Sequence, residues 1–465
     1  MSTDTFDVIV IGAGPAGENA AGRCAEGGMS VAIVERELVG GECSYWGCMP
    51  SKALIRPGDT VAAARRVPGA AEAVTGPIDV AAALAWRDSI VDRWDDSGQL
   101  PWLEERHVRL VRGAGRLAGE KVVEVEGADG ATRRLVAGRA VVVATGTKAA
   151  IPPIPGLAEA RPWDNRSVTA AKDIPRRLLV LGGGAVGAEM AQAMRRLGSD
   201  EVTVVEGMDR LLAREEPFAG DEVREAFEAE GIRVITGAKM TGVQRPAGAA
   251  PLRATLEDGT VLEADEILVA VGRKPNTGDV GVDTIGLEPG QPIDVDDRLR
   301  AKGVAGEWLY AVGDCNGLSL LTHMGKYQAR IAADVILGKD VRDRASRDIV
   351  PRVTFTDPQV CAVGLTEAQA RERGLNVKVV DHPTGGVAGG SVTAKDYEGT
   401  SRLVVNENRG VLVGATFTGP DTADLLHSAT VAIAGEVPLD RLWHAVPSFP
   451  TVSEVWLRLL EVYGL

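Results

Sequence analysis

Short apolar runs separated by glycine turns set the pattern of this chain. Residues 8–11 are four apolar residues in a row, the mark of a strand buried on both faces. They run into Gly-Ala-Gly-Pro-Ala-Gly at 12–17, then an alanine-rich helical stretch over about 18–26, then a second apolar run at 30–34 that ends at Glu35. Strand, glycine turn, helix, strand and acid, in that order, predict a parallel βαβ unit. The same order returns as strand 178–181, turn Gly-Gly-Gly-Ala-Val-Gly at 182–187, helix 188–197, and strand 202–205 ending at Glu206. Two copies of one nucleotide-binding unit are the main organisational feature. Residues 59–105 read as a mainly helical insertion, 122–126 and 134–136 as a small antiparallel excursion, and 140–144 as a further buried strand. Residues 266–271 close the second unit, and a strand at 309–312 precedes a helix that runs to about 337. From about residue 348 the pattern changes to β-rich runs at 353–355, 402–405 and 411–417 with two helical patterns and no glycine turn, which predicts a separate α+β domain.

The glycines of each turn have separate tasks. Gly12 and Gly182 permit a tight turn, Gly14 and Gly184 let the backbone approach a pyrophosphate, and Gly17 and Gly187 allow close helix–strand packing. The helix start then offers unpaired N–H groups and partial positive charge to phosphate. Pro15 fits there because the first helical residue needs no N–H. Glu35 and Glu206 lie about 20 residues after the central glycine of their turns, where a carboxylate accepts from ribose hydroxyls. At the second site that acid repels a 2′-phosphate, so NADH is favoured over NADPH. Arg210, four residues on, reads as a solvated surface charge.

Composition narrows the field. With 465 residues, 45% hydrophobic and 25% charged, the chain is an ordinary globular protein too long for one core. A formal charge of −14 excludes a general nucleic-acid or anionic-membrane surface. No run approaches the ~20 apolar residues of a membrane span, and residues 1–7 are short and polar, so a cytoplasmic protein is expected. Five cysteines do not make a secreted disulfide framework.

Two of them, Cys43 and Cys48, stand in Gly-Gly-Glu-Cys-Ser-Tyr-Trp-Gly-Cys-Met-Pro-Ser-Lys at 40–52. As a zinc half-site the spacing is poor, and no second Cys/His pair completes four ligands; two unrelated core thiols are the other plain reading. Glycines on both sides suggest an exposed turn. Five residues apart at a helix start, the sulfurs can approach bonding distance, and that position favours the thiolate.

This segment, with the glycine turns and the runs Ala-Thr-Gly at 144–146, Ala-Val-Gly-Arg-Lys-Pro-Asn at 270–276 and Ala-Val-Gly-Asp at 311–314, resembles the class I pyridine nucleotide–disulfide oxidoreductases. These include dihydrolipoamide dehydrogenase, glutathione reductase and mercuric reductase. The resemblance covers nearly the whole chain and implies an α/β fold: two Rossmann-like dinucleotide-binding domains plus a C-terminal α+β dimerisation domain. The expected boundaries are 1–150 and 274–345 for the FAD-binding domain, 151–273 for NAD(P), and 346–465 for dimerisation. It implies FAD, NAD(H) ahead of NADP(H), a homodimer whose active sites borrow residues from the partner, and a small-molecule electron acceptor. Cys48 is placed against the flavin as the charge-transfer thiolate and Cys43 outward as the interchange thiol. Lys52 is expected near flavin N5, paired with Glu189. Gly41, Thr145, Gly146, Gly272, Arg273, Gly313 and Asp314 join the glycine-turn residues as cofactor contacts; a turn-capping Asp is the plain alternative for Asp314.

The chain departs from the family at Phe-Pro-Thr-Val-Ser-Glu, 449–454, where the family carries His-Pro and a Glu. Pro450 and Glu454 match, but Phe449 stands where the catalytic histidine belongs, and a phenyl ring transfers no proton. His444 is the nearest candidate to replace it and reads as a surface histidine. Trp46, between the cysteines, reads as packing beneath the flavin domain or as the wall of an aromatic substrate site. These departures fit an acceptor that needs little proton shuttling, such as a quinone or a metal ion. The C-terminal cysteine pair of mercuric reductases is missing. A diaphorase-type reductase working from the flavin and a non-catalytic flavin redox sensor are the competing readings.

Overall fold

The computed structural model describes residues 3–246 and 251–465. They divide into two compact units: residues 1–50, 87–150 and 273–347 in one, and residues 51–86, 151–272 and 348–465 in the other.

In the first unit the apolar run Val8–Ile11 lies at the centre of a sheet. It pairs in parallel with Val31–Glu35 on one side and Thr132–Val143 on the other. All five residues of Val31–Glu35 are buried, as expected of a strand covered on both faces. The sequence pattern predicts two strands at 134–136 and 140–144, but the chain forms one, Thr132–Val143. Its first half pairs antiparallel with Val122–Glu126 and its second half in parallel with Leu309–Ala311. The polar break at Gly138–Arg139 that suggested two elements is absorbed by a register irregularity against Phe6–Val8. The sheet, the Pro15–Glu26 helix and the Thr322–Ile336 helix share one apolar core.

The second unit holds a parallel sheet ordered Ile232–Ile235, Glu201–Val205, Arg177–Leu181, Glu266–Val269. It also holds a three-stranded antiparallel sheet and a five-stranded antiparallel sheet within residues 352–419. The β-rich runs expected after residue 348 are the strands Arg352–Thr354, Thr400–Asn406 and Val411–Gly419. Residues 59–105 are mainly helical, as the pattern predicts. Residues 51–86, read from sequence with the first domain, group with the second unit. The reason is apolar: Leu54, Ile55 and Ala83 are buried in one core with Leu178, Val180 and Val360.

The two glycine turns are near copies. Gly12 has φ +102° and Gly182 φ +106°, conformations L side chains rarely adopt. A Cβ on Gly17 would lie 1.9 Å from the Gly12 carbonyl oxygen, and one on Gly187 1.9 Å from that of Gly182. A Cβ on Gly184, by contrast, would meet nothing within 4 Å. Gly187→Ala is therefore expected to cost about 3 kcal/mol or more of unfolding free energy, and Gly184→Ala less than about 1 kcal/mol. Urea denaturation without nucleotide measures both, and equal losses would contradict the steric assignment.

Candidate active site

The second glycine turn opens to free space at Gly184, whereas Gly14 of the first turn faces Gly41. The Pro15–Glu26 helix is capped by Gly14 and the Ala185–Arg196 helix by Gly184, neither with a side-chain cap. The end-of-strand acids bind the turns themselves. Glu35 accepts from the Ala13 and Glu37 N–H groups, both at 2.7 Å. Glu206 accepts from Gly183 at 2.6 Å and Met208 at 2.8 Å. Each carboxylate is thus fixed at its turn before any ribose arrives. Arg210 is not the solvated charge expected from sequence. Its Nη2 donates to the Ala213 carbonyl at 3.1 Å and its Nε is buried without a partner, because the side chain folds back over its own loop.

The cysteine segment sits on the first glycine turn. Gly41 has φ +59°, and a Cβ there would come within 2.8 Å of the Gly14 Cα. Glycine at position 41 allows this approach, which ties the start of the Gly41–Tyr45 helix to the first glycine turn. Cys43 lies in that helix and Cys48 begins the Cys48–Arg65 helix. The two side chains are hydrogen-bonded; this bond foremost, then burial, raises the Cys43 thiol far above the ordinary cysteine range, while Thr322 and Lys326 pull it down. The Thr322 hydroxyl lies 3.3 Å from Cys48 Sγ. Cys48 is exposed and Cys43 half-buried.

Behind the cysteines, Arg273 donates to Glu42, to the Thr147 carbonyl at 2.9 Å and to the Thr147 hydroxyl at 2.6 Å. The Thr147 hydroxyl donates to Asp314 at 2.7 Å, and Asp314 is raised by burial. This relay was not legible in the sequence, because its members lie in three separate stretches. Thr145 beside it has a buried hydroxyl without a partner. Trp46 meets Tyr45 with ring centroids 5.8 Å apart, and the buried Tyr45 receives Trp94 Nε1 on its carbonyl at 3.1 Å.

In the second unit, Lys52 Nζ binds Glu189 at 2.7 Å, and the other Glu189 oxygen accepts from the Phe355 N–H at 2.9 Å. Lys52 also lies 4.7 Å from the Phe355 ring centroid. Phe355 is a partner that sequence reasoning missed, since no local pattern links it to residue 52. Glu454 is buried; one oxygen accepts from Arg458 at 3.2 Å and the other has no partner. Phe449 is 74% exposed, and His444 is exposed as expected.

The comparisons with known proteins agree with this arrangement. Residues 6–333 match the family model of the pyridine nucleotide-disulphide oxidoreductases, and residues 350–459 match the dimerisation domain of the same family. The chain belongs to this family. It is 34% identical over 465 residues to a dihydrolipoyl dehydrogenase of Thermus scotoductus, covering 98% of this chain and 97% of that one. It is 31% identical to a mercuric reductase of Staphylococcus aureus, covering 97% of this chain and 81% of that one. Among solved structures it resembles LpdA from Mycobacterium tuberculosis, with TM-score 0.87 and 25% identity over 99% of this chain and all of the other. The HOCl-induced flavoprotein disulfide reductase of Escherichia coli, solved as a Cu(II) complex, has the same fold with TM-score 0.86 and 23% identity, covering 98% of this chain and 99% of the other.

As a member of this family the protein is a flavoenzyme that uses FAD and a pyridine nucleotide. Its residues fit both groups. Gly184 has open space before its helix start, neither turn glycine carries a side chain over its helix start, and the Thr145 hydroxyl is buried without a partner, features that suit phosphate and polar ligand groups. Among the described residues no helix is long and apolar enough to cross a membrane, and no group of three or more metal-ligating side chains occurs.

Glu18, in the first turn of the Pro15–Glu26 helix, carries a pH signature. Burial raises its carboxyl from 4.5 to about 7, against Lys326 and with help from Glu35. A carboxyl raised on folding stabilises the fold fully below its unfolded value and loses that contribution as pH rises through 7. Glu18→Gln should therefore gain on the order of 2 kcal/mol over the wild type at pH 8 and nothing at pH 4. Urea melts across that range check this; a pH-independent difference would contradict it.

Proposed function

We propose that this protein is an NADH-dependent, FAD-containing reductase in which the Cys43–Cys48 dithiol delivers electrons to a small-molecule acceptor, acting as a cytoplasmic homodimer. The observation that carries the reading is the placement of Cys43 and Cys48 at the starts of two successive helices, on a loop whose Gly41 is clamped to the first glycine turn. When bound, FAD supplies the two-electron step between the nicotinamide and the sulfur pair.

The protein's own residues supply position and charge. The Gly12–Gly17 turn with Glu35, and the relay of Arg273, Thr147 and Asp314, hold FAD. The Gly182–Gly187 turn with Glu206 holds the nicotinamide nucleotide. Glu206 favours NADH because a fixed carboxylate accepts from a free 2′-hydroxyl and repels a 2′-phosphate, while Arg210 is turned away to Ala213. Lys52, pinned by Glu189, sets a positive charge beside the flavin. Cys48 would face the flavin when FAD is bound, and Cys43 would meet the acceptor, as the family resemblance implies.

Turnover returns the dithiol to a disulfide: the S–S bond forms, two electrons go to the acceptor, and two protons leave the thiols. A disulfide acceptor must take up protons as its sulfurs separate, and Phe449 supplies none. The acceptor is accordingly one that does not depend on an enzyme imidazole: a thiophilic metal ion, whose reduction takes up no proton, or a quinone that draws its two protons from the thiols and solvent. The mercuric reductase relative and the Cu(II) complex of the Escherichia coli reductase point in the same direction.

Purified enzyme screened with NADH and NADPH against metal ions, quinones and small disulfides tests this. NADH with a metal ion or quinone should give the highest kcat/KM. Cys43→Ser should abolish turnover of the preferred acceptor, and full activity in that variant would transfer the chemistry to the flavin alone. Phe449→His should raise disulfide reduction about 10²-fold or more if proton delivery is what the native enzyme lacks. An unchanged rate would show that the missing imidazole does not set the acceptor class.

A further inference from the structure

The Lys52–Glu189 pair is one rung of a ladder. The Cys48–Arg65 helix carries Lys52 and, two turns on, Asp59; the Ala185–Arg196 helix carries Glu189, Gln192 and Arg196, three and then four residues apart. Those spacings put each set on one helix face. At the far end Arg196 binds three carboxylates. Its Nη1 donates to Asp59 at 2.9 Å, its Nη2 to Asp357 at 2.7 Å and to Glu230 at 2.6 Å, and its Nε to Glu230 at 3.0 Å. Arg66 also binds Asp357. The Arg196 side chain is only 12% exposed, so these bonds work in a low-dielectric setting. Gly58 makes room for it: a Cβ there would come within 2.8 Å of the Arg196 Cδ.

Between the rungs, Gln192 locks the backbone of residue 357. Its Oε1 accepts from the Asp357 N–H at 2.8 Å, and its Nε2 donates to the Asp357 carbonyl at 2.9 Å and to Glu230 at 2.8 Å. Two residues earlier, the Phe355 N–H holds Glu189. Segment 355–357 is thus gripped at both ends by the helix that carries Glu189. At its Asp357 end it is also joined, through Arg196 and Arg66, to the helix that carries Lys52.

We infer that Arg196, with Asp59, Gln192 and Asp357, is the positioning device of the Lys52–Glu189 pair: it fixes segment 355–357 so that the Phe355 N–H and ring hold Glu189 and Lys52 in one geometry. None of the four touches the reacting atoms; they act through Glu189. The inference rests on the reading of Lys52 as an active-site residue, which stands or falls separately on whether Lys52→Met loses turnover.

The test measures Lys52 itself. Holoenzyme is exposed to a trace of acetic anhydride, and acetylation of Lys52 is read by peptide mass mapping relative to the exposed Lys239. In Arg196→Gln and Asp59→Asn, relative Lys52 labelling should rise about threefold or more, as expected when a hydrogen-bonded restraint is lost. The kcat with NADH should fall while KM for NADH stays unchanged. A drop in melting temperature alone, with labelling and kcat as in the wild type, would make the network merely structural and overturn the inference. Should Arg196→Gln fail to fold, Asp59→Asn removes one charge without changing side-chain shape and carries the same two readouts.

Discussion

The contact between two sulfur atoms five residues apart is the interaction on which the chemistry of this protein depends, and a backbone contact makes it possible. Gly41 packs against Gly14 closely enough that a side chain at position 41 would meet the Gly14 Cα at 2.8 Å. The loop carrying Cys43 is thereby joined to the turn that receives a pyrophosphate, and the redox pair is set by the same glycines that set the cofactor. Thr322, at the start of a helix some 270 residues further along the chain, completes the sulfur environment with its hydroxyl.

The acidic balance of the chain, −14 overall, conceals how its acids are used. Glu35 and Glu206 hold turns open, Glu42 holds Arg273, Glu189 holds Lys52, and Asp59, Glu230 and Asp357 surround Arg196. Each is a short-range, directional bond in which a carboxylate fixes a backbone N–H or a cation. Glu454 is the exception. It keeps one buried oxygen without a partner while the neighbouring family position, Phe449, is an exposed phenyl ring. The carboxylate has no imidazole at position 449 to orient, and the chemistry proposed for the acceptor follows from that difference.

Two elements show how a correct local reading and a wrong one arise. The run at 8–11 is apolar on both faces, and it is the central strand. The Gly138–Arg139 break looked like a gap between strands, yet the parallel pairing that reaches Ala137 resumes at Ala140, because the neighbouring strand shifts register between Phe6 and Val8. Arg210 was read as solvated because a charged side chain beside a turn usually is. In the folded loop its Nη2 donates to the Ala213 carbonyl at 3.1 Å and its Nη1 lies 3.6 Å from the Asp209 carboxylate.

The sequence by itself determined the two nucleotide units and the acids at their strand ends, signals carried by spacing within some 30 residues, where strand and helix periods fix which atoms meet. The cysteine pair's role and the missing histidine were legible only through the family resemblance. Tertiary structure decided the rest. The Thr147 relay, the Phe355 hold on Glu189, the grouping of residues 51–86 with the second unit and the Arg196 hub all join residues from distant stretches of chain. Such contacts leave no periodic trace in a single sequence, since the packing that brings them together depends on the shape of every element between them.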